Sequence, residues 1–191
     1  NVAIIVGLAM IIRLYVMTPF RVYGQSMCNT LNYIDGQCVR GNGEYIIVNK
    51  ILYRKFGDFS LSEPKRGNIV VFRPPLSEGE FYIKRVIGLP GEKVELRGGY
   101  LYIYNEEHPD GFQLNESYLN AFNAGNTYVY DGDVTVFDVP QGSYFLLGDN
   151  RAASSDSRTC FSEMRCTPFD SPFLSFDRIE GKAWISLWPF D

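Results

Sequence analysis

Few side chains in this sequence are suited to activating a nucleophile. One histidine, His108, occurs among the 191 residues, in the polar stretch Glu106-Glu107-His108-Pro109-Asp110. A Ser-His-Asp triad needs histidine as its general base, but a charged loop cluster of this kind is usually solvated surface. The stretch lacks the second histidine and fixed spacing of a catalytic metal site, and the sequence has no phosphate-binding glycine loop. We therefore expect a nucleophile that works without histidine, metal or cofactor.

Lysine replaces histidine as a general base only when its amine is neutral. Its reference pKa is about 10.4, and burial among apolar groups lowers that pKa because it disfavours the ammonium form. Lys84 lies in Phe81-Tyr82-Ile83-Lys84-Arg85-Val86-Ile87, a pattern typical of a strand. The alternative is an exposed lysine on an edge strand, where its charge discourages aggregation. Lys84 is the candidate base.

Ser26 is the candidate nucleophile. The run Gly24-Gln25-Ser26-Met27 directly follows a predicted strand that starts at Phe20. Gly24 allows a substrate to approach the backbone closely because glycine has no Cβ. A serine hydroxyl is a weak nucleophile until a neighbouring base removes its proton, so Ser26 needs a partner such as Lys84. On its own, Ser26 is one serine among many.

Short strands separated by turns must position these groups. Turn residues recur about every ten residues after Pro19, which indicates an all-β or mostly β domain. The aromatic content of 15% also favours strands. The pair Gly98-Gly99 indicates a hairpin. The predicted strands cover 20–23, 44–50, 68–73, 81–87, 93–96, 100–104, 143–147 and 179–187.

A polar segment interrupts this strand pattern. Asn105 to Val139 is rich in Asn, Asp, Glu and Gly and has little periodicity. We interpret it as part of an insertion, a small cap subdomain at approximately 97–140. The domain that contains the insertion is predicted to cover 18–191.

The first residues are apolar: Val2 to Ile12 form an unbroken run, followed by Arg13. The run is shorter than the about 20 residues of a membrane span, and the chain begins at Asn1 instead of Met. We predict that residues 1–17 are the C-terminal part of a transmembrane helix that has lost upstream residues. A cleaved signal peptide is disfavoured because no small-x-small cleavage site follows. A buried N-terminal helix is the remaining alternative.

Charge and cysteine content limit the remaining classes. The net charge of −4 argues against a nucleic-acid binder, which usually carries a basic surface. The four cysteines show no CxxC spacing, so neither a zinc ribbon nor a thioredoxin motif is expected. An even number suits two disulfides in an oxidising compartment, and Cys160 and Cys166 are near enough in sequence to close a short loop. Four free thiols are the alternative, and the sequence leaves the pairing open.

Four blocks of the chain resemble the type I signal peptidase family and follow its order. In that family's nucleophile motif, Ser-Met is followed two residues later by Pro-Thr-Leu; this chain has Asn29 in place of the proline. Asparagine also suits turns, so we expect the departure to affect rate or subfamily and not the chemistry. The last block matches at every defining position. The blocks are 24–31, 48–54 with 65–72, 82–92 and 148–158, and the resemblance is weakest across 105–139.

The resemblance implies roles for individual residues. Ser26 attacks the scissile carbonyl, Lys84 takes its proton and later gives it to the leaving amine, and Ser154 hydrogen-bonds and orients the lysine. The Ser26 backbone N–H is an oxyanion donor, and some members add a hydroxyl two residues earlier, where this chain has Gly24; the second donor stays open. Substrate contacts are implied for Phe20, Val22, Gly24, Met27, Tyr82 and Ile83. Structural support is implied for Arg85, Asp149, Asn150, Asp156 and Arg158. Ordinary surface ion pairs are the alternative for Arg85, Asp156 and Arg158.

The resemblance also implies a fold and a substrate class. The fold is mostly β, as in signal peptidases and LexA-type repressors: coiled antiparallel sheets with an inserted cap, preceded by a transmembrane helix segment. Two strands clamp an extended preprotein by β-augmentation, and small apolar pockets select Ala-x-Ala before the cleaved bond. No cofactor is implied, and the protein is expected to be monomeric.

The implied location is the plasma membrane, with one or a few spans and the catalytic domain on the extracytoplasmic face. Secretory preproteins and the lipid bilayer are the expected partners, and nucleic acid is not. Apolar side chains beside the site are expected to meet the bilayer, although the last two could equally belong to the core: Leu14, Val16, Trp184, Trp188 and Phe190.

Three alternatives compete with this family. A self-cleaving LexA-type repressor also pairs Ser with Lys but is disfavoured by the apolar N-terminus and the absence of a DNA-binding helical domain. A penicillin-binding protein or β-lactamase needs Ser-x-x-Lys on one helix, whereas Asn29 stands at that spacing after Ser26. A non-catalytic membrane-associated β-domain that binds signal sequences would not need Ser26, Lys84 and Ser154 together, so their joint presence argues against it.

Overall fold

The computed structural model describes residues 2–28, 30–41, 43–57, 59–75, 77, 79–129, 135–162 and 166–187. Asn29, Trp188 and Phe190, for which the sequence made predictions, lie outside the described residues.

Strands dominate the described residues, and one helix precedes them. The helix is α1 (Val2–Ile11); it continues as a π-helical turn (Ile12–Val16), and short 3₁₀ turns cover Ile51–Tyr53, Ser157–Thr159 and Phe176–Arg178. The strands are β1 (Met17–Arg21), β2 (Tyr33–Ile34), β3 (Gln37–Cys38), β4 (Tyr45–Asn49), β5 (Lys55–Phe56), β6 (Phe59–Ser60), β7 (Ile69–Phe72), β8 (Tyr82–Gly88), β9 (Lys93–Arg97), β10 (Tyr100–Tyr104), β11 (Phe112–Gln113), β12 (Val136–Asp138), β13 (Ser143–Leu147), β14 (Leu174–Ser175) and β15 (Ile179–Leu187).

A curled antiparallel sheet of seven strands forms the main body, in the order β1-β4-β15-β7-β8-β13-β14. The mostly β prediction is confirmed, and β10, β13 and β15 have the predicted bounds. The strand predicted at 20–23 instead covers Met17–Arg21 and includes Pro19. Proline is tolerated there because β1 is an edge strand, where a missing backbone N–H disrupts no ladder.

Strand β8 carries Lys84 through the interior of this sheet. β7 pairs with β8 from Tyr82 to Arg85, whereas β13 pairs with it only from Arg85 onward. The backbone before Arg85 is therefore open on one side. β1 pairs with β4 alone and presents a second open edge. The curl of the sheet brings the two edges together, since the rings of Phe20 and Phe81 are in edge contact at 5.0 Å.

A second antiparallel sheet, β11-β10-β9-β12, packs on the main one. It covers 93–138, so the predicted insertion of about 97–140 overlaps it but starts inside β9. A buried apolar cluster joins the two sheets and docks the second on β8 and β13: Val94, Leu96, Leu101, Ile103 and Phe137 from the second sheet meet Ile87, Phe145 and Leu147 from the main one.

The N-terminal helix α1 consists of apolar and glycine residues, none of them buried. In the part of the chain that the structure describes, no helix combines the length and apolar character needed to cross a bilayer. The assignment of residues 1–17 to a transmembrane helix stays a prediction.

Candidate active site

The turn that carries Ser26 is fixed by a buried side chain and a disulfide. Met27 is fully buried in an apolar cluster with Leu31 and Ile46. The next residue, Cys28, is bonded to Cys38. The predicted contact between Met27 and a substrate is not available to its side chain, because the core encloses it. Met27 instead anchors the turn to the apolar core.

Asn32 holds the backbone that leads into the turn, although the sequence predictions did not include it. Its Nδ2 donates to the carbonyl oxygens of Val22 and Gly24, both at 2.9 Å, and its Oδ1 accepts the Glu44 N–H at 2.9 Å. It is fully buried with φ 61°, a left-handed conformation that asparagine adopts more readily than most residues. An asparagine just after the nucleophile block was the one available signal.

Lys84 reaches the nucleophile from strand β8. Its Nζ lies 2.8 Å from Ser26 Oγ and 2.9 Å from the Ile83 carbonyl oxygen. The residue is 3% exposed, which excludes the exposed-lysine alternative. Desolvation by burial lowers the pKa of Lys84 from 10.5 to about 8, because it outweighs the opposing charges of Asp156 and Asp149. The amine therefore meets the geometric and protonation requirements of a general base near neutral pH.

The loop after β13, residues 148–158, packs directly on the Ser26 turn. The Asn150 N–H donates to the Ser26 carbonyl oxygen at 3.0 Å, and its Nδ2 donates to the Gln25 carbonyl oxygen at 3.1 Å. Gly148 is required at this junction, since a Cβ there would overlap both Ser154 Oγ and the Ser26 carbonyl oxygen. Two chain segments far apart in sequence thus meet at the nucleophile.

Two buried arginine–carboxylate pairs hold the 148–158 loop. Arg85 binds Asp149 at 2.8 and 2.6 Å, and Arg158 binds Asp156 at 2.9 and 2.8 Å. All four residues are buried, so the surface-pair alternative is excluded. Both pairs are bidentate, a geometry that fixes orientation. Burial alone would raise the pKa of Asp156, but the Arg158 guanidinium and the Gly148 N–H hold it below its ordinary value.

Ser154 is buried in this loop, and its hydroxyl has no hydrogen-bond partner of standard geometry among the described residues, although it is near enough to Asp156 to help lower the pKa of that carboxyl. The predicted bond between Ser154 and Lys84 is therefore absent. A buried polar group without a partner costs about 1–3 kcal/mol, and such groups in native proteins require an explanation. The Lys84 amine has two partners, Ser26 and Ile83, and nitrogen geometry leaves one position for a third.

A groove of about 440 Å³ passes Ser26 and Lys84 between the open edges of β1 and β8. Open backbone edges with apolar walls suit an extended peptide that adds as a strand. The residues predicted to contact substrate, except Met27, line this groove: Phe20, Val22, Gly24, Tyr82 and Ile83. Further lining residues that the sequence did not indicate include Arg21, Gln25, Arg40, Ile46 and Val71.

Arg151 joins the second sheet's polar segment to the 148–158 loop and was not among the predicted residues. Its Nε donates to the Gly148 carbonyl oxygen at 3.0 Å, and its Nη2 pairs with Glu116 at 2.5 Å. From the same segment, Tyr118 stacks on Arg85 at 3.9 Å. Arg151 belongs to a matched block, but its partners lie where the sequence has no periodic pattern.

All four cysteines form disulfides, Cys28–Cys38 and Cys160–Cys166, so the free-thiol alternative is wrong. In each pair one residue is buried and the other exposed. Cys28 follows Ser26 by two residues, and Cys160 follows Arg158 by two. Each disulfide therefore closes a loop next to one of the two segments that build the site.

His108 has no place in this site. Its ring packs against Phe112 of the second sheet at 4.9 Å, and it does not line the groove. A histidine-based triad with Ser26 is excluded by this position, because a general base must lie within hydrogen-bond reach of the nucleophile.

Comparison with known proteins identifies the family. The sequence matches the family model described as "Signal peptidase, peptidase S26" over residues 1–188. It is similar to the signal peptidase I of Rickettsia felis, with 34% identity over 99% of this chain and 80% of that protein. The corresponding values for the signal peptidase I of Rickettsia prowazekii are 32%, 99% and 81%. A crystal structure of a signal peptidase I from Enterococcus faecalis V583 shares 34% identity, covers 64% of this chain and 98% of that one, and has a TM-score of 0.45. The chain belongs to the signal peptidase family, peptidase family S26, whose members are serine endopeptidases.

Proposed function

We propose that this chain is a membrane-bound signal peptidase I that removes signal peptides from secretory preproteins with a Ser26–Lys84 dyad. The observation that carries the proposal is the 2.8 Å distance between Lys84 Nζ and Ser26 Oγ. The lysine is buried, and its pKa of about 8 leaves part of the protein with a neutral amine near pH 7. Membership of the family supports the reaction class.

The proposed reaction has two halves. Ser26 Oγ attacks the carbonyl carbon of the scissile bond while Lys84 Nζ accepts the hydroxyl proton. The Ser26 backbone N–H, which donates to no described residue, stabilises the oxyanion. The Lys84 ammonium then protonates the leaving amine, which departs as the mature protein and leaves the signal peptide esterified to Ser26. A water deprotonated by Lys84 hydrolyses that ester.

Ser154 is proposed as the residue that orients the lysine. When the lone pair of the neutral amine points at the Ser26 hydroxyl, its two N–H groups need acceptors. The Ile83 carbonyl oxygen, at 2.9 Å from Nζ, accepts one. The second is assigned to the hydroxyl of Ser154, which is buried and forms no bond to Lys84 in the present arrangement.

The substrate is proposed to bind as an extended strand between β1 and β8. Main-chain hydrogen bonds to the open edges supply affinity, and the apolar side chains of Phe20, Val22 and Ile83 form pockets for small residues. We propose cleavage after Ala-x-Ala because such pockets admit small side chains at alternate positions of a strand.

The membrane location is proposed from the N-terminal region and the disulfides. Helix α1 is apolar and entirely unburied, and two further apolar side chains, Leu14 after the helix and Trp184 on β15, are 60% and 57% exposed. Both disulfides suit an oxidising compartment. We propose a monomer anchored in the plasma membrane through residues 1–17, with the domain on the extracytoplasmic face. No cofactor takes part in the chemistry.

The test is cleavage of an Ala-x-Ala preprotein in detergent. Ser26→Ala and Lys84→Met should each lower kcat/KM by roughly 10⁴-fold, since each removes a member of the catalytic unit. Lys65→Met, which replaces an exposed lysine, is the matched control and should cleave like wild type. Near wild-type cleavage by folded Ser26→Ala or Lys84→Met would exclude the dyad. A wild type that binds the preprotein without cutting it would favour the binding-only alternative.

A further inference from the structure

The groove carries positive charge, although the chain as a whole is acidic. The net charge is −4, yet the described residues that line the groove include Arg21 and Arg40 besides Lys84, and no aspartate or glutamate. Glu80, next to the lining residue Phe81, is exposed and not part of the lining. Because low-dielectric walls focus the field of a concave site, two uncompensated arginines act strongly on a bound peptide.

Arg40 is held beside the strand that leads to the nucleophile. The Gly41 N–H donates to the Tyr23 carbonyl oxygen at 3.0 Å, and Gln25 Nε2 donates to the Cys38 carbonyl oxygen at 2.9 Å. Arg40 itself is exposed and forms no ion pair with any described residue. Its backbone is therefore fixed near the cut site, while its guanidinium is available to a ligand.

Arg21 is oriented farther along the same groove. It precedes Ser26 by five residues; because the chain bends at Gln25 and turns at Ser26, the separation is shorter than the about 16 Å that five extended residues span. Its guanidinium lies over the rings of Tyr45 and Tyr23 at 5.3 and 5.8 Å, and its Nε is 3.5 Å from the Gly43 carbonyl oxygen. These aromatic contacts orient the charge without neutralising it.

We infer that the two arginines select preproteins with a carboxylate side chain near the cleavage site. Arg40, whose backbone lies beside Tyr23 and Gln25, acts on the substrate positions near the scissile bond, and Arg21 acts farther along the groove. This inference rests on the proposed function, because it concerns the same groove. Arginine pairs with carboxylate through two parallel hydrogen bonds, whereas a substrate lysine at the same position is repelled. Charge thus discriminates among substrates that share small residues before the cut.

The experiment is a charge scan of short Ala-x-Ala peptides. Asp, Ser or Lys is placed at each position up to five residues on either side of the bond, leaving both alanines unchanged, and kcat/KM is measured. At one or more positions wild type should cleave the Asp peptide about fivefold faster than the Ser peptide, because an exposed ion pair contributes up to about 1 kcal/mol. It should cleave the Lys peptide more slowly than the Ser peptide. Arg40→Glu should invert that order. Arg97→Glu, an equal charge change at an exposed arginine of β9, should keep it.

Equal rates for the three peptides at every position would overturn the inference. An Asp preference that persists in both Arg40→Glu and Arg21→Glu would overturn it as well. Cleavage of the neutral Ser peptide tests the proposed function separately. If wild type cuts none of the peptides, their binding to the Ser26→Ala variant is measured by fluorescence anisotropy. Charge selection is supported if Asp peptides bind more tightly than Lys peptides and if adding Arg40→Glu abolishes that difference. Equal binding of the Asp and Lys peptides refutes it.

Discussion

The two segments that meet at Ser26 are held by different forces. The turn at residues 24–31 is held mainly by neutral groups: the buried Met27, the Cys28–Cys38 disulfide and the amide of Asn32. Its one hydrogen bond to a carboxylate among the described residues is at its far end, where Thr30 Oγ1 donates to Asp149 at 2.5 Å. The loop at residues 148–158 is held by buried charges, in the pairs Arg85–Asp149, Arg158–Asp156 and Arg151–Glu116.

The difference reflects what each segment does. Neutral partners fix the position of Ser26 without adding charge beside the hydroxyl. The loop's ions surround the base: Asp156 and Asp149 raise the pKa of Lys84 and Arg158 lowers it, against the larger effect of burial. We infer that the turn sets geometry and that the loop also sets protonation. Changes in the loop should therefore move the pH profile, and changes in the turn should not.

The largest effect is expected from Asp156→Asn. This change leaves Arg158 buried without its carboxylate, which costs about 3–5 kcal/mol in the free energy of unfolding. Lys84 also loses a nearby negative charge while Arg158 remains, so the acidic limb of activity should move to lower pH. Denaturant unfolding and a pH–rate profile measure both. Arg97→Gln breaks an exposed pair and should cost less than about 1 kcal/mol; a similar loss in both variants would contradict the comparison.

Removal of the disulfide by Cys28→Ala with Cys38→Ala should come next. The bond closes a loop across a sequence separation of 10, for which the chain-entropy model gives about 3 kcal/mol. The cleavage rate should fall because the Ser26 turn is less firmly held, while the acidic limb of the pH–rate profile should not move. The control is removal of Cys160–Cys166, whose separation is 6; its loss should be slightly smaller. A shift of the acidic limb of the pH–rate profile in the variant without Cys28–Cys38 would contradict the distinction between turn and loop.

Asn32→Ala should cost about 2 kcal/mol of stability. It leaves the carbonyl oxygens of Val22 and Gly24 without the Asn32 amide and the Glu44 N–H without its acceptor. Thermal or denaturant unfolding measures the loss. Asn126→Ala, which removes an exposed side-chain bond to Phe122, is the control and should be nearly neutral. Comparable stabilities of the two variants would show that Asn32 does not hold the turn.

The smallest effect is the pH dependence of the wild type. The folded pKa of Lys84, about 8, lies below its ordinary 10.5, so only the neutral fraction is active and kcat/KM should fall tenfold per pH unit below about 8, or about 1.4 kcal/mol. Between pH 8 and 10.5 the Lys84 amine binds more protons in the unfolded chain than in the folded protein. The contribution of Lys84 to the free energy of unfolding therefore rises with pH in that window. A rate that stays constant down to about pH 6 would exclude Lys84 as the base.

Much of the fold was predictable because the longer strands carry recognisable apolar patterns. β13 and β15 have the expected bounds: β13 is buried on both faces and is a continuous apolar run from Tyr144 to Leu147, whereas burial alternates only in the first residues of β15. The strands of two or three residues, such as β2, β11 and β14, are too short to show a period. They form because the neighbouring strand supplies the hydrogen bonds, which is tertiary information.

The site was predictable where a residue type was itself unusual. A lysine among apolar strand residues indicated Lys84, whose Nζ lies 2.8 Å from Ser26 Oγ. The role of Ser154 came from the matched block and stays a prediction, because its bond to Lys84 is absent. Arg40 was not predictable, because its place beside the groove depends on the Cys28–Cys38 pairing that the sequence left open. Met27 was assigned to the wrong side of the turn, since a sequence does not show which neighbour of a nucleophile faces the core.

The open edges of β1 and β8 also bear on solubility. An unpaired edge accepts any extended strand, including one from a second copy of the same protein. Two copies that joined through β1 would place their Arg21 side chains along one seam, where like charges repel. Pro19, which is exposed on β1, removes a hydrogen-bond donor from the same edge. The features that leave this edge free for a suitable peptide therefore also oppose the growth of an intermolecular sheet at high protein concentration.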